Sequence, residues 1–408
     1  MSLLKRAPHL SAFLIVLGIS VAALGVGTVY VRIRVRQSIH RLASAQNDAK
    51  ILGVTIIREA FRHPDVLPDF GSSEMLRGID RPFYGPAFFS DAPTGFVLCP
   101  VADLGATPLS ELLRVAAAGP AVRGKRLVVS FTPQVFIGTG NGKFEQAYAG
   151  NFSPLQANVL TFSTDLSLGL SRDLAGRLLK HPETLTHEPL LSAALRARAS
   201  ESYPARVAYL ALYPLGKLQA VLYRIADDFL SWRALSTLPP NDGQLQRDRA
   251  PVNWSQLADS ADRVTRALSS GNPWGIDDDF FAKYGDYFLK QKGAKDSTEW
   301  LESLRQGYGW SELDLLLRLL RERGAKPLVV TMPKHGLFDE YGGLSARVRN
   351  NYYDKFNSVA DPYGFPVETF QQYDTVKYFL RDPDSHMSPK GWLWYDQLVD
   401  AFYHDALR

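Results

Sequence analysis

The sequence predicts an α/β protein with a central parallel sheet behind a single N-terminal apolar helix. Three observations carry that expectation. An uncharged stretch of bilayer-spanning length stands near the start of the chain. Short continuous apolar runs recur after it. Helical patterns precede these runs, as in βα units whose sheet is buried on both faces.

The apolar stretch runs from Leu10 to Val31, "LSAFLIVLGISVAALGVGTVYV", and carries no charge. As a helix it covers about 33 Å, enough to cross a bilayer core. A cleaved signal peptide has a shorter apolar region and a small-residue cleavage site. Here Tyr30 and the arginines 32, 34 and 36 close the stretch and suit a membrane interface. The reading is an uncleaved anchor over 10–31, after a short N-terminus at 1–9. Charge leaves its orientation open, since Lys5 and Arg6 precede it and more arginines follow.

Residues 32–60 continue as a juxtamembrane helix and linker, and 61–408 form the main domain. Strand-length runs appear at "FVLCPVA" (96–102), "RLVVSFTP" (126–133) and "KPLVVTMP" (326–333). The last follows "SELDLLLRLLRERGA", whose leucines recur at helical spacing. Between the second and third runs, about 140–310, the pattern is a large helical insertion with a loop at "STLPPNDGQLQRDRAPVNW". "GTGNG" (138–142) lacks the context of a phosphate loop and reads as a turn.

Composition excludes several classes. The 408 residues are 46% hydrophobic and carry a net charge of +4, with no long basic stripe beyond the N-terminus, so nucleic acid is not an expected partner. The single cysteine, Cys99, permits no intrachain disulfide or cysteine-rich zinc site, and its apolar neighbours predict a buried thiol. No HExxH or HxxxH spacing is present, and histidines 63, 181, 187 and 404 show no paired ligands in the sequence, so no metal is expected.

Two histidines stand out. His335 follows a strand in "TMPKHG", and His386 lies in "FLRDPDSHMSPKGW" close to Asp382 and Asp384. A carboxylate beside a histidine fixes its tautomer and stabilises the imidazolium formed when it takes a proton. Ser388 and Pro389 then read as the cap and first residue of a helix. Near the other end of the domain, "PDFGSSEM" puts Ser72 and Ser73 after a short apolar segment. A serine there is either a nucleophile at a strand end or, as Ser72 with Glu74, a helix cap.

Taken in order along residues 10–400, these segments resemble the DltD family of the SGNH/GDSL-like hydrolase fold. The resemblance rests on the anchor, "FGSSEM", "VADLGATPLSELL", "LVVSFTPQVF", "NFSPLQANVL", "LVVTMPKHGLFDEYGGLSARV" and "YFLRDPDSHMSPKGW". It implies a three-layer α/β/α fold. It also implies Ser73 as nucleophile, with Ser72 the alternative, and His386 as general base. The family's usual aspartate position is Pro383 here, so Asp384 becomes the expected partner and Asp382 the alternative. Oxyanion donors would be the Ser73 and Gly105 N–H groups, with Gln134 or Thr132 in place of an asparagine.

The resemblance further implies esterification of a cell-envelope polymer outside the cytoplasm, D-alanylation in the type case. It requires no cofactor. Its partners would be a membrane-bound O-acyltransferase (DltB-like), an acyl-carrier protein (DltC-like), the polymer acceptor and the membrane. The N-terminus would be cytoplasmic and the domain extracytoplasmic, on a single membrane pass. The aromatic-rich insertion could line an acceptor site. The same residues also suit an esterase or thioesterase, or a non-catalytic scaffold for the carrier protein and the O-acyltransferase.

Overall fold

The computed structural model describes residues 8–76, 82–137, 143–238 and 248–407. Lys5, Arg6, the "GTGNG" turn and positions 239–247 of the predicted loop lie outside the described residues. The first helix, Pro8–Gln37, is 30 residues long and contains the apolar stretch. It is long and apolar enough to cross a membrane. Its first part is exposed, but Val31 and Val35 are buried against the domain.

Five parallel strands form the sheet: β1 (Val66–Gly71), β2 (Val97–Ala102), β3 (Arg126–Phe131), β4 (Lys326–Thr331) and β5 (Val367–Glu368), in the order β2-β1-β3-β4-β5. Three coincide with the apolar runs of the sequence. β1 is the "VLPDFG" segment before the two serines. Pro68 lies inside it although β1 has neighbours on both sides. The ladder to β3 begins only at Asp69, so proline's missing N–H falls before that pairing starts. β5 has two residues, too few for periodicity to reveal.

Side chains alternate between the faces of the sheet. Phe70, Cys99, Val101, Val129 and Val329 enter one core, under helices Thr55–Arg62, Pro108–Ala118, Gly309–Glu322 and Ala346–Ala360. Leu67, Leu98, Val128, Leu328 and Val330 enter the other, under helices Gly85–Asp91, Trp254–Leu268 and Pro389–Tyr403. Those are the three layers the resemblance implied. Cys99 is fully buried.

Helices dominate residues 143–238 and 248–306. The longest, Tyr203–Ser236, has 34 residues and packs on the helices Pro154–Thr161 and Pro189–Ala199 and on the end of the first helix. The aromatic segment forms a small core of its own, in which Trp274, Ile276 and Phe288 pack on Phe338. These rings serve packing, and the acceptor-site expectation gains nothing from them.

Gly216 marks a close approach. A Cβ there would lie 2.1 Å from the Phe162 ring, whereas one at Gly176 would meet nothing within 4 Å. Glycine-to-alanine in a helix ordinarily gains about 1 kcal/mol, while forcing atoms into a packed site costs about 1–3 kcal/mol. Gly216→Ala is therefore expected to lower the unfolding midpoint and Gly176→Ala to raise it slightly. Equal effects in chemical denaturation would refute this packing account.

Candidate active site

The turn after β1 explains the "GSSE" sequence. Ser73–Met75 form one 3-10 turn, with Ser72 at its N-cap position. The Ser72 side chain makes no capping bond. Instead, the Glu74 carboxylate folds back and accepts the Ser72 N–H through Oε1 at 2.7 Å. Gly71 makes room for it: a Cβ there would meet Glu74 Oε1 at 2.7 Å and Met75 Cγ at 2.6 Å. Ser72 is buried, while Ser73 is partly exposed. The cap reading thus has the position and the Glu74 partner right, with the bond running from the Ser72 backbone N–H to Glu74 and none from the Ser72 side chain.

The "RDPDSHM" segment folds into a tight loop. Leu380 and Met387 form an antiparallel bridge, and the Arg381 N–H donates to the His386 carbonyl at 2.9 Å. Ser385 takes a left-handed φ of 69°. Asp382 Oδ1 accepts the N–H groups of Asp384 (3.0 Å) and His386 (3.3 Å), which closes the loop on itself. Just beyond, Ser388 Oγ caps the helix Pro389–Tyr403, as the sequence suggested, by accepting the N–H groups of Lys390 and Gly391.

The two segments meet. Ser73 Oγ lies 3.0 Å from His386 Nε2, and His386 Nδ1 lies 2.8 Å from Asp382 Oδ2. A carboxylate only accepts, so Nδ1 carries the proton and Nε2 is left to accept from the serine. The expectation of Asp384 is corrected here: its carboxylate is exposed and makes no described hydrogen bond to the ring. An Asp-x-His pair shares a face only on extended backbone. The left-handed turn at Ser385 instead brings the residue four positions back, Asp382, against the imidazole.

Register places the other candidates along one edge. Gly71 pairs with Ala102 and Phe70 with Val129, so the segments after β1, β2 and β3 emerge side by side. Gly105 follows β2 with a φ of 69°, a backbone that favours glycine. Thr132 and Gln134 follow β3, the latter in the turn Pro133–Phe136. Gln134 Oε1 is buried without a hydrogen-bond partner among the described residues.

Electrostatics separates the two histidines. Burial disfavours the His386 imidazolium, but the hydrogen bond and charge of Asp382, with Glu74 and Asp384 nearby, outweigh it and raise the pKa above its ordinary value. His335 is buried and its Nδ1 accepts the Phe338 N–H at the start of a helix. Burial lowers its pKa to about 4, which keeps it neutral. It is a helix cap. Burial pushes the Glu74 carboxyl up to about 7, against the Ser72 hydrogen bond that lowers it.

One cluster escaped the sequence. His40, His63 and Asp65 converge, with His40 Nε2 2.8 Å from Asp65 Oδ2 and all three donor atoms within 4.8 Å of one another. His63 thus has neighbours that the sequence reading denied it, because positions 40 and 63 belong to no recognisable spacing. The cluster sits before β1, at the end of the strand opposite Ser73.

Comparison with known proteins decides the family. The family model described as DltD protein matches residues 43–404, which include both Ser73 and His386. The chain belongs to the DltD family. It is 28% identical to Protein DltD of Bacillus subtilis (strain 168) over 371 residues, 91% of this chain and 89% of that protein. It is 23% identical to Protein DltD of Staphylococcus aureus (strain NCTC 8325 / PS 47) over 352 residues, 86% of this chain and 84% of that one. The match to the family model spans the whole described sheet of this DltD-family chain, from Val66 to Glu368.

Glu74 supplies a test of the site's electrostatics. With its folded pKa raised to about 7, the folded protein keeps a proton that the unfolded chain releases near 4.5. Its contribution to stability is therefore highest below that ordinary value and declines as pH rises through 7. The shift corresponds to about 3 kcal/mol at one pKa unit per 1.36 kcal/mol. Glu74→Gln, which keeps an acceptor for the Ser72 N–H, should become more stable relative to wild type between pH 5 and 7, then level off. A difference constant across that range in thermal unfolding would contradict the buried-acid account.

Proposed function

We propose that this protein is a membrane-anchored, extracytoplasmic serine O-acyltransferase that esterifies a cell-envelope polymer, in a reaction of the D-alanylation type. The observation that carries the proposal is the hydrogen-bonded chain from Ser73 through His386 to Asp382. Family membership supplies the reaction class.

In this mechanism Ser73 Oγ attacks the carbonyl carbon of an activated acyl group while His386 Nε2 takes the hydroxyl proton. Asp382 holds the ring by its Nδ1–H and stabilises the imidazolium. The N–H groups of Ser73 and Gly105 and the Gln134 side chain are the donors proposed for the tetrahedral oxyanion. Collapse expels the carrier group, which takes the proton from His386, and leaves an acyl-serine. A polymer hydroxyl then attacks the ester carbonyl, giving its proton to His386. The new polymer ester departs and Ser73 Oγ recovers the proton. Asp382, rather than Asp384, takes the orienting role in this scheme.

The first helix serves as the anchor. It runs without interruption to Gln37, and its Val31 and Val35 pack into the domain that follows, so its end is part of the folded protein. The exported orientation and the proposed partners, a DltB-like membrane O-acyltransferase and a DltC-like carrier protein, follow from the family reading.

Cells carrying Ser73→Ala or His386→Ala should lose ester-linked acyl groups on the envelope polymer with the protein still present by immunoblot. Residues acting as a unit are non-additive, so the double variant should match the single ones, each roughly a thousandfold or more below wild type. Intact-mass spectrometry after incubation with activated donor should place the acyl adduct on the Ser73 peptide. Survival of polymer acylation in both variants would refute the catalytic reading in favour of a scaffold. An adduct discharged only to water, with polymer acceptor present, would favour an esterase.

A further inference from the structure

The helix Tyr203–Ser236 is apolar on both of its sides. Its inward face, with Tyr209, Gly216 and Ala220, packs on the domain. Its outward face presents Val207, Leu210, Leu218, Leu222, Phe229 and Trp232, all exposed, Leu210 and Phe229 at 68% each. Successive members of that stripe are separated by whole helical turns. A water-facing helix carries polar residues on its outer side, and a soluble protein rarely exposes so long an apolar strip.

Charge on this helix is sorted by side. Its two acids, Asp227 and Asp228, are buried. Asp227 accepts the Thr55 N–H and hydroxyl at 2.9 and 2.7 Å, and Asp228 binds Arg32 of the anchor helix at 3.1 Å. The exposed charges, Arg206, Lys217 and Arg233, are all basic. The C-terminal end of the stripe lies against the first helix. Trp232 packs on Tyr30 with ring centroids 5.8 Å apart, just where the exposed apolar part of the anchor stops. Tryptophan and tyrosine favour that interfacial level.

We propose that the outward face of the helix Tyr203–Ser236 is a second membrane contact, seated on the lipid surface of the leaflet from which the anchor emerges. Leucine and aromatic side chains enter the headgroup–acyl boundary, typically about 5–10 Å deep, while the basic residues pair with anionic headgroups. The occupant is lipid, because the stripe is continuous with the anchor's interfacial end and its exposed charge is of one sign. The proposal rests on the reading that the first helix is a retained membrane span. It would hold the catalytic domain on the bilayer instead of letting it swing on a single tether.

The full chain offers a direct test, since its single cysteine is buried. Leu210→Cys, Leu218→Cys and Phe229→Cys are each labelled with bimane, as are Phe13→Cys in the anchor and Glu302→Cys on an exposed helix elsewhere. The proteins are reconstituted in phosphatidylglycerol–phosphatidylcholine vesicles and quenched with nitroxide lipid or aqueous iodide. Nitroxide lipid should quench the three stripe labels at least about twofold more than the Glu302→Cys label, and iodide less. Stripe labels that behave like Glu302→Cys, while Phe13→Cys is quenched by lipid, would overturn the proposal and leave the anchor intact. Loss of lipid quenching at Phe13→Cys as well would overturn the anchor reading and this proposal together. Stripe labels shielded from both quenchers would mean a protein covers the face, which also overturns it.

Discussion

The contact on which the site depends joins residues 313 positions apart, Ser73 and His386. Neither segment can hold its partner in place alone. Ser73 stands in the turn after β1, an interior strand of the sheet, and His386 on a loop that leads into the helix Pro389–Tyr403. Packing of that helix on the sheet fixes the distance between them. The buried Tyr395 hydroxyl donates to Asp69 Oδ2 of β1 at 2.8 Å and lies 3.0 Å from Ser130 Oγ of β3. The helix that follows the histidine is thereby tied to the strand that precedes the serine.

Around that contact the protein accumulates buried acids. Burial raises the pKa of Asp69, Glu111 and Asp396 well above the ordinary carboxylate range, and that of Glu74 to about 7. An uncompensated carboxylate in such surroundings costs several kcal/mol, which favours the acid form. Beside His386, Asp382 Oδ1 accepts two backbone N–H groups and its Oδ2 accepts from the imidazole. The same low-dielectric setting strengthens its pull on the ring.

Much of the fold was legible because apolar strand-length runs and leucine periodicity are local signals. β2, β3 and β4 and the cap at Ser388 followed from such patterns. β5 did not, since two residues leave no period. Within the site, Ser73 and His386 were readable through their motifs, but the choice of aspartate was not. It turns on one left-handed residue, Ser385, whose identity does not announce that conformation. The His40, His63 and Asp65 cluster was hidden for a similar reason, as tertiary folding alone brings those positions together. The aromatic segment around Trp274 left packing and groove-lining both open, because rings that pack a local core and rings that line a groove look alike in sequence.

The central claim is that Ser73 is activated by His386 and that Asp382 alone orients the histidine. A fluorophosphonate tests it directly, since only an activated serine hydroxyl attacks phosphorus and expels fluoride. Labelling rates on the purified full chain should map to Ser73, fall by about 10³-fold or more in Asp382→Asn, and stay close to wild type in Asp384→Asn. Equal slowing in the two aspartate variants, or labelling at Ser72, would contradict the account.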